Sequence, residues 1–65
     1  MYHIVEFLDE GGAEVVPASW VQDGRSFWPP YDTRALCDRA IIREDPPEDS
    51  WTTYRVRIMI TKGML

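Results

Sequence analysis

The side chains able to do chemistry in this chain are few and scattered. Cys37 is the only cysteine and His3 the only histidine. A closed zinc site takes about four ligands, so these two cannot build one. Cys37 lies in a stretch of helical spacing and reads as a small buried hydrophobe. His3 lies far off in a strand-like stretch and reads as a strand surface residue. The eleven carboxylates fall in no motif for general acid–base work. The run Glu44-Asp45-Pro46-Pro47-Glu48-Asp49 lacks the regular oxygen spacing of a calcium loop and reads as a solvated connector, with an acidic docking strip as the sharper reading. No metal and no cofactor is expected, and an enzyme is the least supported class.

What remains is aromatic and cationic. The stretch from Ser19 to Tyr31 brings together Trp20, Phe27, Trp28 and Tyr31 around Pro29-Pro30. Such a cluster is either the hydrophobic staple of a very small domain or an exposed recognition surface. Trp20, Phe27, Trp28 and Tyr31 are therefore the candidate partner-binding rings, joined by Ile58 and Ile60 at the apolar end of the last strand-like segment. Together with Trp51 and Tyr54, the same rings are the candidates for a cage around a methylated lysine, which small barrels of the Tudor or chromo type hold by cation–π contact. Arg55, Arg57 and Lys62 form a short basic row. It is expected to be solvated or to pair with carboxylates such as Glu6 and Glu14, a phosphate-contacting strip being the alternative.

These groups must be held by a chain of 65 residues, one small domain. A chain this short buries only about 60% of the surface its unfolded form exposes. With neither disulfide nor metal available, large aromatics and association with another copy are the remaining stabilisers. The formal net charge is −4, which makes the chain a poor nucleic-acid binder by itself. No apolar run approaches the ~20 residues that span a bilayer, and no signal-peptide pattern follows Met1. The lone cysteine favours an intracellular compartment. The chain reads as the N-terminal domain of a longer protein.

The expected elements follow from local pattern. Tyr2 to Leu8 is short and β-branched or aromatic, a strand. Asp9-Glu10-Gly11-Gly12 turns it into a second strand, Ala13 to Val16, ended by Pro17. Ala18 to Val21 continues as an extended piece, and Asp23-Gly24 punctuates the next turn. Ser26 to Trp28 is extended. Asp32 or Thr33 caps a helix from Arg34 to about Arg43, with Leu36/Ala40 and Cys37/Ile41 on its apolar side. From Tyr54 to Thr61 apolar and polar residues alternate, so that Tyr54, Val56, Ile58 and Ile60 share one face. The fold class is α+β, mainly β: a small twisted antiparallel sheet or partly open SH3/Tudor-like barrel with one short helix before the last strand.

The blocks Val15-Val16-Pro17-Ala18-Ser19-Trp20, Phe27-Trp28-Pro29-Pro30-Tyr31, Pro46-Pro47-Glu48-Asp49-Ser50-Trp51 and Tyr54-Arg55-Val56-Arg57 resemble a module at the N-terminus of transposon-derived, uncharacterised proteins of insects and fish. The opening segment is also similar to the N-terminus of some BEN-domain proteins. That resemblance implies a nuclear, non-catalytic adaptor of a transcription regulator, binding a protein partner or a second copy of itself. It carries over no catalytic residue. The chain departs from the pattern in its helix, which mixes Arg with Asp38 where relatives are Lys-rich.

Overall fold

A computed structural model describes residues 1–63, so Met64 and Leu65, read from the sequence as further apolar material beyond the last strand, lie outside the described residues. Five strands and one helix follow in the order β1 (Tyr2–Phe7), β2 (Ala13–Pro17), β3 (Val21–Gln22), β4 (Arg25–Trp28), α1 (Arg34–Arg43) and β5 (Thr52–Lys62). The strands form one open sheet, β2-β1-β5-β4-β3, antiparallel at every junction. The mainly β architecture is thus the open-sheet form of the expected class.

Two hairpins carry the local instructions. Gly11 and Gly12 have φ of 81° and 86°, and the turn closes through Gly11 N–H to the Phe7 carbonyl and Phe7 N–H to the Gly12 carbonyl. Asp23 and Gly24 have φ of 53° and 76°, the paired left-handed torsions of a two-residue hairpin turn. Thr33 caps α1, its Oγ1 accepting from Leu36 N–H at 3.2 Å. At the other end Glu44 adopts left-handed torsions and closes the helix onto the Ala40 and Ile41 carbonyls.

Three expectations are corrected. Ala18–Trp20 is a turn of 3-10 helix, tied by Ala18 N–H to the Met1 carbonyl, and only Val21–Gln22 continues extended. Leu36 is exposed at 42%, while the other three residues of the expected apolar side, Cys37, Ala40 and Ile41, are buried. The alternation of β5 breaks at its far end. Val5 pairs with Ile58 but Ile4 pairs with Ile60, leaving Met59 as an extra residue. This bulge sets Ile58 beside Val5 and Ile60 beside Ile4, on opposite faces of the sheet.

The core joins Val5, Val16, Trp20, Ala40, Ile41, Trp51 and Val56, with Tyr2 at its margin. Helix α1 lies along β2, and the Tyr2 hydroxyl donates to the Ile41 and Ile42 carbonyls at 3.5 and 3.4 Å. Every aromatic ring except Tyr2 and Phe27 belongs to one relay of edge-to-face contacts: Tyr54, Phe7, Trp28, Trp20, Trp51, Tyr31. Each such pair adds about 0.5–1.5 kcal/mol beyond area burial. Trp20 is fully buried at its centre, and its indole N–H donates to the Asp45 carbonyl at 2.7 Å. Trp20→Phe leaves that carbonyl unpaired and should cost about 1–3 kcal/mol. Urea unfolding should show a lower midpoint at an unchanged slope.

Candidate protein-interaction site

The structure divides the expected binding residues into buried and presented groups. Trp20 and Trp51, 0% and 4% exposed, are interior and cannot meet a partner. That overturns Trp20 as a binding residue: its indole N–H needs an acceptor, and the acidic loop supplies one from inside. The loop is therefore anchored at Asp45, whose own N–H donates to the Ala40 carbonyl, while Glu44, Pro46, Glu48 and Asp49 stay exposed as expected of a solvated connector. Phe27 is half-buried against the core and lines a shallow depression with Gln22, Asp23, Arg25 and Thr53. Tyr31 is 40% exposed, standing edge-on to Trp51 at 6.2 Å. Cys37 is buried, its Sγ 3.9 Å from the Tyr31 carbonyl, and the His3 imidazole lies 2.9 Å from Thr61 Oγ1.

Ile58 and Ile60 come together with Met59 at the far end of β5, 45%, 46% and 49% exposed. Their exposure follows from how β5 is shared. Its first part, Thr52–Arg55, pairs with β4. Its second part, Val56–Lys62, pairs with β1 on the other side. Val56 N–H still reaches the Gly24 carbonyl at 2.9 Å. Beyond Val56, no described strand pairs with the side of β5 that faces away from β1. A central strand thus becomes an edge strand halfway along its length, and that half carries the apolar triplet.

A second concave feature lies at the opposite end of the aromatic relay. Phe7, Trp28 and Tyr54, from three neighbouring strands, surround a cavity of about 270 Å³ rimmed by Glu10, the Gly11-Gly12 turn and Glu14. Phe7 stands perpendicular to both other rings, at 86° and 83°. Sequence reasoning missed Phe7 here, while the acidic turn at Asp9 and Glu10 was legible as a possible neighbour of the rings. The periodicity placed Phe7 on a strand face, but which rings it meets depends on pairing with residues near position 54.

The basic row is largely neutralised. Arg55 makes two hydrogen bonds to the Asp9 carboxylate at 3.1 and 2.8 Å, and Arg57 makes two to Glu6 Oε1 at 3.1 and 2.8 Å. Glu14, expected opposite this row, is instead gripped by Arg34 through two hydrogen bonds at 2.9 and 2.7 Å. Arg34 also reaches Asp38 and lies over the Trp28 ring, 5.9 Å from its centroid. Hydrogen bonding to Glu14 holds the Arg34 guanidinium far above its ordinary value. Lys62 is exposed and makes no ion pair among the described residues. No group of three or more His, Cys, Asp or Glu able to hold a metal occurs among the described residues.

No family profile, curated protein or solved structure matches this chain.

The Arg55 hydrogen bonds hold the Asp9 carboxyl below the usual carboxylate range. A depressed folded value means the contribution is complete above the unfolded carboxylate's range and is lost as pH falls through the folded one. Asp9→Asn should therefore flatten the acid limb of the stability–pH profile measured by thermal unfolding. High salt should shrink the same limb in the unmodified chain, because the pair is exposed.

Proposed function

We propose that this chain is a non-catalytic protein-interaction module that associates through the open half of β5, a second copy being its first partner. One observation carries this reading: Ile58, Met59 and Ile60 are exposed on a strand whose outer side lacks a strand neighbour among the described residues. An unpaired edge offers backbone N–H and C=O groups to an added strand, and apolar side chains alongside supply the hydrophobic part of the contact. Self-pairing suits the residues. An antiparallel copy centred on Met59 sets Arg57 against Thr61 and Val56 against Lys62, with no like charges opposed, and carries an exposed isoleucine to each face of the seam. A domain of this size gains stability by mass action when it dimerises.

The sequence resemblance to N-terminal modules of transposon-derived and BEN-domain proteins supports a wider reading. In it the module is an adaptor within a nuclear regulator, and contact with DNA belongs to other parts of the full-length protein. The pairing of Arg55 with Asp9 and of Arg57 with Glu6 fits that division, because it leaves Lys62 as the one cation of the basic row without an ion pair among the described residues.

Sedimentation over a concentration series should show the mean mass rising from the 7.6 kDa monomer toward twice that value. Met59→Lys places a charge on the exposed edge without touching the core. It should hold the chain monomeric while its far-ultraviolet dichroism stays unchanged. A strict monomer at millimolar concentration removes the self-association reading.

A further inference from the structure

The cavity between Phe7, Trp28 and Tyr54 is independent of the strand edge and has a chemistry of its own. Its walls are three half-buried rings, so it is apolar but open to solvent. Ring faces are electron-rich and attract a cation within about 6 Å of the centroid. Trp28 already shows this, since Arg34 lies over it at 5.9 Å. Arg34 takes up the charge of Glu14. Glu10 makes no ion pair among the described residues, though Arg55, which is bonded to Asp9, lies within coulombic reach of it, so the rim keeps one carboxylate without a direct partner. Between the two carboxylates the rim carries only Gly11, Gly12 and the small Ala13. An added Cβ at either glycine would meet nothing within 4 Å, so a long side chain has a low wall to cross.

We propose that this pocket takes the methylated ammonium of a lysine side chain presented by a basic peptide. The walls decide the methylation state. A free ammonium carries three N–H donors that must be satisfied, and aromatic walls cannot satisfy them. A trimethylammonium keeps the charge and has no donors to lose, so its methyl groups pack on the rings. Glu10 supplies the opposite charge at the mouth, and the net charge of −4 draws basic segments toward the surface. The ring set differs from that expected from sequence: Phe7 joins Trp28 and Tyr54, whereas Trp20 and Trp51 are sealed in the core and Phe27 and Tyr31 do not line the pocket.

The test is a titration, followed by tryptophan fluorescence and by amide NMR shifts, with three versions of an Ala-Arg-Lys-Ser peptide. In one the lysine is trimethylated, in one it is unmodified, and in one the trimethylammonium nitrogen is replaced by carbon. The trimethylated peptide should bind about 10-fold or more tighter than either of the others. Its shifts should centre on Phe7, Gly11, Trp28 and Tyr54. Glu10→Gln should weaken it several-fold, Tyr54→Leu should abolish saturable binding, and Tyr54→Phe should restore it. Equal affinity for the neutral carbon isostere would show a merely greasy pocket and overturn the proposal. So would no saturation by the trimethylated peptide at about 1 mM. Shifts confined to Ile58–Ile60 would assign the peptide to the strand edge and overturn it as well.

Discussion

The indole N–H of Trp20 is the group the rest of the molecule has to accommodate. Trp20 is sealed from water, and a buried donor without a partner costs about 1–3 kcal/mol, a large fraction of what so small a domain has to spare. The acceptor is the Asp45 carbonyl, just past the end of α1. That one bond brings the acidic loop inward. It also fixes where α1 stops, because Asp45 N–H caps the Ala40 carbonyl from the same residue. Trp51, at the far end of the loop, then meets the Trp20 ring at 5.2 Å and 87°. With the loop held at both ends, β5 starts where it can pair with β4.

From Trp20 the edge-to-face relay runs in two directions, and its ends differ from its middle. The middle indoles are interior and give the sheet and helix a common core. The outer rings, Phe7, Trp28 and Tyr54 at one end and Tyr31 at the other, are only partly covered. A relay of perpendicular rings leaves ring faces and edges open wherever it reaches the surface. The same packing that stabilises the domain therefore leaves an aromatic concavity beside the acidic hairpin turn.

The sheet shows a similar economy. One long strand serves both hairpins, pairing with β4 through its first residues and with β1 through its last. This joins five strands into one sheet with a single connection but leaves half of β5 with one neighbour. The Met59 bulge bends that half and spreads Ile58 and Ile60 over both faces. Charge on the sheet surface is balanced locally: Asp9 with Arg55, Glu6 with Arg57, Glu14 with Arg34. Two features remain on the described surface beside these pairs, the apolar edge of β5 and the aromatic-acidic concavity at the first hairpin.

Torsions and contacts within a few residues of each other were legible in the amino-acid string. The Gly11-Gly12 and Asp23-Gly24 turns, the Thr33 cap and the helix bounds at Arg34 and Arg43 follow from local preference and periodicity; that the last strand returns onto the first followed from the order of elements, without its register. That aromatics must close the core followed from length, with no disulfide or metal to assist. The tertiary structure alone decided which rings are sealed and which are presented, that Glu14 answers Arg34 rather than the basic row, and that Met59 is an inserted residue separating Ile58 from Ile60. Each of these is a matter of register between segments far apart in the chain. Hydrophobic burial reports that a residue prefers to be inside, but only the pairing of β1 with β5 and the meeting of the indoles settle which neighbour it finds there.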